Sequence, residues 1–188
     1  MVFTIVGKTC SGKDTVAKHL ERRYGIPNVV TYTTRPMRPD DIDGVSHHFI
    51  TEEEMHKFSP DDMFAYTEID GYSYFSLKQQ FEGSSLIVYV LDPRGIEDLI
   101  KADIPFKSLY VDCPEETILR RAAERGTDSG VVTSRLASER KMFDDFKSAS
   151  KYDSYVNNID SVDVLLASVD TCMIAMAREL GIDLGVVA

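Results

Sequence analysis

Residues 2–20 read VFTIVGKTCSGKDTVAKHL and combine a short apolar run, a glycine-bounded loop and the start of a helical pattern. The run Val2–Val6 is typical of a buried strand, and the spaced apolar residues after the loop are typical of an amphipathic helix. The intervening loop can point its backbone N–H groups inward at the positive end of the helix, where Lys13 reaches terminal phosphates. We therefore predict nucleoside triphosphate binding by Gly7, Lys8, Thr9, Cys10, Ser11, Gly12, Lys13, Asp14 and Thr15.

The last position of this loop departs from the usual pattern. Phosphate-binding loops generally carry Ser or Thr after the lysine, and this hydroxyl contacts magnesium. Here Asp14 takes that place and Thr15 follows. Asp14 is either a magnesium ligand, direct or through water, or a first-turn acid that the helix dipole stabilises.

The apolar runs after the first strand alternate with plausible helices. Val29–Tyr32, Leu86–Leu91 and Leu109–Val111 are interpreted as further buried parallel strands, which predicts an α/β fold. Apolar residues spaced three and four apart from Val162 to Leu180 predict a final packing helix. Residues 35–74 are rich in turn formers, and residues 124–151 carry both charge signs. We interpret the first segment as an insertion and the second as a solvated helical excursion.

The composition limits the function further. The formal net charge of the 188-residue chain is −10 and no basic block offsets it, so general nucleic-acid binding is not expected. Cys10, Cys113 and Cys172 form no CxxC pair, which argues against a disulfide framework or a zinc site and fits a reducing cytoplasm. No stretch has the length of a membrane span. An anionic substrate would therefore need a local cluster of arginines.

That cluster follows in residues 31–44, which read TYTTRPMRPDDIDG and precede the HHF of residues 47–49. Arg35 and Arg38 lie three residues apart with hydroxyl residues just before them. Planar guanidinium forks and neutral hydroxyl donors suit a phosphate monoester. We predict a second anion site here, although the same residues could also be surface charge in a turn.

The loop, the TTRPMRPDDIDG segment and HHF together resemble the guanylate kinase family. The resemblance continues through GYSYFS at residues 71–76, LDPRG at 91–95 and the lid motif RAAERGT at 121–127. It implies a P-loop kinase fold, that is, a doubly wound parallel core with an NMP-binding insertion and a helical lid. The implied division is core 1–34, 75–123 and 152–188, insertion 35–74 and lid 124–151.

The resemblance also implies roles for particular residues. The acceptor monophosphate would be held by Thr31, Arg35, Arg38, His47 and Tyr74, with Ser76 as a base contact. Asp92, the remaining strand-end aspartate, would contact the acceptor substrate and is also a second candidate magnesium ligand beside Asp14. The triphosphate and the transferring group would be approached by Arg121, Arg125 and Arg135, with Asn158 near the donor. Lys13, Arg121 and Arg135 would be catalytic, with ATP and Mg²⁺ as donor and cofactor.

Four positions depart from the family pattern. His47 stands where tyrosine is usual, Phe75 replaces a glycine, and Val90 replaces the first strand-end aspartate. The base-reading glutamate is expected six residues before Gly71, where the chain has Ala65. Glu68 and Tyr66 are the candidate substitutes for this reader.

The expected activity is ATP-dependent phosphorylation of a nucleoside monophosphate, GMP being the family's acceptor. One alternative keeps the kinase but changes the acceptor to another nucleotide or to ribose 1,5-bisphosphate, since related kinases of that bisphosphate can also carry GKD in the loop. Another is a non-catalytic scaffold module, although such domains usually lack the Gly12–Lys13 pair. A GTPase switch is disfavoured because no NKxD motif is present. The expected partners are small nucleotides, and the oligomeric state stays open.

Overall fold

Six α-helices and eight strands form in residues 1–38, 41–83 and 85–187, the part of the chain that this computed structural model describes. They are β1 Val2–Val6, α1 Lys13–Tyr24, β2 Tyr32–Thr33, β3 His48–Phe49, α2 Glu52–Met55, β4 Met63–Ile69, β5 Tyr72–Leu77, β6 Ile87–Leu91, α3 Pro93–Lys101, β7 Phe106–Asp112, α4 Glu115–Glu124, α5 Ser129–Ser148, β8 Ser154–Asn157 and α6 Val162–Glu179. None of these helices is long and apolar enough to cross a membrane.

The core is a four-stranded parallel sheet in the order β6-β1-β7-β8. Strand β1 is buried along its whole length, and its alternate side chains serve two apolar layers. Phe3 and Ile5 pack with α1 and α6, whereas Val2 and Val6 pack with α3 and α5. Helices therefore cover both faces, and the predicted doubly wound α/β core is confirmed. The carboxyl ends of all four strands meet at one edge.

A second, smaller sheet has the order β3-β2-β5-β4 and is built around the β4–β5 hairpin. Its register shifts between Phe64 and Thr67, where Ala65 adopts a positive φ of 51°. An extra residue on one strand of an antiparallel pair is a β-bulge, which bends the strand and displaces its pairing by one position.

Two predicted core elements differ in whether they form. The final helix is confirmed over Val162–Glu179, but the strand predicted over Val29–Tyr32 is wrong. Asn28 forms a single bridge to Val88, and the chain then leaves the core so that Tyr32 and Thr33 join the second sheet. Val29 is buried in the core without belonging to a strand, so its apolar character reflects burial and not strand pairing.

Candidate active site

The phosphate loop connects β1 to α1 at the carboxyl edge of the core sheet. A Cβ atom at Gly7 would lie 2.4 Å from the carbonyl oxygen of Val111, so the loop can pass this close to β7 only as glycine. Gly12 caps α1 with a φ of 101°, a conformation that side chains rarely permit. The predicted strand, loop and helix are all confirmed.

Polar contacts close the loop on itself. The Nζ atom of Lys13 donates to the carbonyl oxygen of Lys8 at 2.8 Å, and Lys8 in turn pairs with Glu115 at 3.4 Å. The backbone N–H of Thr9 donates to Oε2 of Glu139 on α5 at 2.8 Å. A carboxylate thus accepts from a loop amide, which is the behaviour expected of an anion-binding loop. Charge pattern alone could not show that Glu139 would reach this amide.

Asn158 directly follows β8, and its side chain hydrogen-bonds the phosphate loop. Its Nδ2 donates to the carbonyl oxygen of Ser11 at 2.8 Å, and the side chain is buried. Its own carbonyl oxygen accepts from Nη1 of Arg121 at 3.1 Å, while Nη2 of Arg121 bonds the carbonyl of Asp160 at 2.8 Å. Arg121 is therefore tied to the end of β8 beneath the donor loop.

The other two arginines of the predicted lid lie in different surroundings. Arg125 directly follows α4, and its Nε bonds the carbonyl of Arg121 at 3.2 Å on an exposed surface. Arg135 projects from α5 toward the β4–β5 hairpin, where its Nε donates to Oδ2 of Asp70 at 2.7 Å. Burial alone would lower the pKa of Arg135, but the bond and the charge of Asp70 raise it, so the guanidinium is cationic.

The predicted arginine cluster is built around a shared carboxylate. Arg35 is buried; its Nη2 lies 2.9 Å from Oδ2 of Asp41, and its guanidinium lies 5.3 Å from the ring centre of Phe49. The backbone N–H of Arg38 donates to the same oxygen at 2.7 Å, while the Arg38 side chain is exposed. Although partial burial would raise the pKa of Asp41, these bonds lower it. Pro39 and Asp40 of this motif lie outside the described residues.

His47 lies between the arginine cluster and the phosphate loop. Its Nδ1 is 2.7 Å from Oγ1 of Thr31, and its ring packs edge-on against Tyr74 with the ring centres 5.6 Å apart. Burial lowers the pKa of His47, and the positive charge of Arg35 lowers it further. The carboxylate of Asp14 on α1 acts on the same ring in the opposite sense. His47 is therefore within electrostatic range of both the arginine cluster and the first turn of α1.

The expected base-reading position is changed by the β-bulge. Counting back from Gly71 predicts Ala65 beside Ser76, but the observed register pairs Phe64 with Ser76. Phe64 is buried against Phe81, and the Ser76 hydroxyl donates to the carbonyl of Phe64 while accepting from the hydroxyl of Tyr89 at 2.8 Å. The residue paired with Ser76 is therefore a phenylalanine, and both hydrogen bonds of the Ser76 hydroxyl are made within the protein.

The two candidate substitutes for the missing glutamate lie on the other face of the hairpin. Glu68 pairs with Ser73, and the hydroxyl of Tyr66 is 2.9 Å from the Ser73 hydroxyl. Successive residues of a strand point to opposite faces, so Ser73 faces away from the side of Tyr74. This arrangement therefore does not support Glu68 or Tyr66 as the replacement reader, which stays a prediction.

Asp92 and Asp14 differ in their availability to a metal ion. Asp92 caps α3 through the N–H groups of Arg94 and Gly95, and its other oxygen pairs with the Arg94 guanidinium at 2.8 Å. Asp14 and Thr15 are exposed in the first turn of α1. In residues 1–38, 41–83 and 85–187, no group of three or more His, Cys, Asp or Glu side chains could hold a metal. Of the two candidates, Asp14 has the free carboxylate.

Comparison with known proteins agrees with this geometry. The chain is 29% identical over 166 residues to a guanylate kinase of Fusobacterium nucleatum, covering 84% of this chain and 87% of the relative. It is 30% identical over 145 residues to one from Acinetobacter baylyi, covering 73% and 70%. The fold matches the crystal structure of guanylate kinase from Anaplasma phagocytophilum with a TM-score of 0.67 and 18% identity, covering 95% of this chain and 85% of that one. The family model "Guanylate kinase" matches residues 2–176, and the chain accordingly belongs to the guanylate kinase family.

Proposed function

We propose that this protein transfers the γ-phosphoryl group of ATP to GMP. The observation that carries the proposal is His47, which bonds Thr31 and whose pKa responds to the charges of both Arg35 and Asp14. This supports a phosphate-binding loop and an arginine-lined anion site that would face each other, as in-line transfer between two phosphates requires. The named relatives favour GMP as acceptor over the ribose bisphosphate and scaffold alternatives.

The donor side would be formed by the loop amides and Lys13. ATP phosphates would replace the internal bonds that now occupy these groups, namely Lys13 to the Lys8 carbonyl and the Thr9 amide to Glu139. A triphosphate carries more charge than one carboxylate, so the exchange favours the nucleotide. Lys13 would then stabilise the charge on the transferring group, which is larger in the transition state than in the ground state.

The acceptor side would hold the monophosphate through Arg35, Arg38, Thr31, His47 and Tyr74. Its attacking oxygen is already an anion, so no strong base is needed and positioning dominates. The lowered pKa of His47, caused by burial and by Arg35, keeps the imidazole neutral at neutral pH. It would therefore act as a hydrogen-bonding group and not as a cation.

On the donor side, one of the two predicted carboxylates is available to bind magnesium. Mg²⁺ in kinases is commonly held by one or two carboxylates together with substrate phosphates and water. Asp14 offers one such carboxylate in the first turn of α1, whereas the oxygens of Asp92 are bonded within α3. When bound, the ion would neutralise charge on the phosphates. Asp14 is thus the better of the two predicted ligands.

The three-part division 1–34, 75–123 and 152–188 with insertion 35–74 and lid 124–151 remains a proposal. It is supported by the second sheet, which is separate from the core sheet, and by α5, which lies within 124–151 and carries Arg135. Approach of the lid and the insertion would exclude water and limit ATP hydrolysis. In that state Arg135 and the donor loop would lie on the same side of the acceptor.

A coupled ADP-release assay tests the function directly. ATP would be offered with GMP, dGMP, AMP, CMP, UMP or ribose 1,5-bisphosphate, and Lys13→Ala would serve as the inactive control. We expect GMP to be the best acceptor, but with AMP turned over within about 100-fold of it, because no carboxylate lies opposite Ser76 to discriminate between the bases. A different best acceptor, or no acceptor-dependent ADP release, would overturn the proposal.

A further inference from the structure

Asp70 connects the acceptor hairpin to the lid helix α5. Its Oδ2 accepts from Nε of Arg135 at 2.7 Å, across 65 residues of sequence. Among the ion pairs within residues 1–38, 41–83 and 85–187, this is the one that joins the second sheet to α4 or α5. The side chain of Arg135 is only 18% exposed, whereas that of Asp70 is 49% exposed. Asp70 therefore approaches the largely buried guanidinium of Arg135 from its solvent-facing side.

The backbone of the hairpin fixes where this carboxylate points. Ile69 pairs with Tyr72, so Asp70 and Gly71 form a two-residue turn. Their φ angles are 55° and 79°, which is the left-handed conformation that tight hairpin turns require. Aspartate and asparagine tolerate this conformation better than most residues. The carboxylate of Asp70 is thus presented by a rigid turn and not by a loose loop.

The bond to Asp70 uses only one side of the guanidinium. Arginine has five N–H donors, and Nε contributes one of them. Besides Asp70, the Tyr74 side chain lies near enough to the Arg135 guanidinium to raise its pKa through a hydrogen bond and through its charge. Tyr74 also packs edge-on against His47. The guanidinium therefore lies beside the side chains proposed to hold the acceptor phosphate.

We propose that Asp70 is a positioning residue that orients Arg135 toward the phosphoryl group passing between ATP and the acceptor. The inference rests on the proposed function, since it needs an acceptor phosphate beside His47 and Tyr74. By fixing Nε, Asp70 leaves Nη1 and Nη2 to form a bidentate contact with phosphate oxygens. The β4–β5 hairpin, which belongs to the acceptor side, thereby helps to position an arginine that acts on the transferring phosphoryl group.

Asp70→Asn is the decisive variant because it keeps the turn and a neutral acceptor but removes the charge. We expect kcat with GMP to fall by about 10-fold, while KM for ATP changes by less than about twofold. Glu53→Gln, which removes a charge from exposed α2 in the same insertion, should leave both values unchanged. Asp70→Glu should not rescue fully, since the longer side chain displaces the guanidinium.

A double-mutant cycle separates positioning from a role in the turn. In an Arg135→Ala background, Asp70→Asn should change kcat by less than about twofold, because the residue through which Asp70 acts is gone. An equal loss in both backgrounds would overturn the inference, as would wild-type kcat in Asp70→Asn alone.

An activity-independent measurement distinguishes this inference from the proposed function. The Nε–H resonance of Arg135, assigned by its disappearance in Arg135→Lys, should shift and exchange faster with water in Asp70→Asn than in wild type. If the wild type phosphorylates no nucleoside monophosphate, the proposed function fails. If instead GMP is phosphorylated but the Arg135 resonance is the same in both proteins, the Asp70–Arg135 contact fails.

Discussion

Replacement of Asn158 by alanine should loosen the phosphate loop without touching a residue that meets the phosphates directly. Nδ2 of Asn158 is bonded at 2.8 Å to the carbonyl oxygen of Ser11, and the asparagine is only 6% exposed. The backbone N–H of Asn158 bonds Asp112 and would survive the substitution. The variant therefore removes one buried side-chain donor from a loop carbonyl and leaves the end of β8 in place.

The magnitude follows from the burial of that contact. Leaving a buried polar group without its partner costs about 1–3 kcal/mol. We expect Asn158→Ala to lower the free energy of unfolding by about 2 kcal/mol, which for a chain of this size lowers Tm by about 4–8 °C. Because the Ser11 carbonyl directly precedes Gly12, KM for ATP should rise by about 3- to 10-fold, while KM for GMP stays within about twofold.

Urea denaturation and steady-state kinetics measure these effects, and Asn157→Ala is the matched control because Asn157 is exposed at the end of β8. The reasoning would be refuted if Asn158→Ala kept its stability to within about 0.5 kcal/mol together with an unchanged KM for ATP. A larger effect on GMP than on ATP would also contradict it, since Asn158 would then serve the acceptor side.

Three further predictions concern the site itself. Lys13→Ala should lower kcat by at least about 100-fold with an unchanged thermal melt, and near-normal turnover would contradict the donor loop. Arg35→Ala should raise KM for GMP by about 10- to 100-fold in initial-rate assays, and a comparable rise for ATP would place this arginine on the donor side. Burial and Arg35 hold the pKa of His47 below its ordinary value of 6.5, so the unfolded chain binds a proton first as pH falls. Urea midpoints should therefore drop more between pH 7.5 and 5.5 in wild type than in His47→Gln, and equal drops would argue against a neutral buried His47.

The sequence predicted the parts of the fold that depend on local chemistry. Val2–Val6, Gly7 and Gly12 form the strand and the turns that their residue types favour. The strand β8 was missed because its four residues, Ser154–Asn157, give no apolar run. Val29–Tyr32 was misread because burial outside a strand has the same apolar signal. Pairing partners distant in sequence decided both cases.

Pairing between residues distant in sequence also limited the prediction of single residues in the candidate site. Arg35 and His47 were identified from their motif, and the charges of Arg35 and Asp14 both act on the pKa of His47. The bulge at Ala65 could not be predicted from the sequence. Alanine has no preference for a positive φ, and one extra residue in a strand does not change the residue pattern by which a strand is recognised. Counting along the chain therefore placed Ala65 where the register places Phe64.

The contact between Glu139 and the Thr9 amide places an internal anion against the donor loop. Entry of ATP is then a ligand exchange in which one anion leaves as another arrives. An exchange of like charges alters the ion atmosphere around the protein less than the filling of a bare cationic pocket. Donor affinity should consequently depend on ionic strength less steeply than acceptor affinity, whose guanidinium at Arg38 faces the solvent.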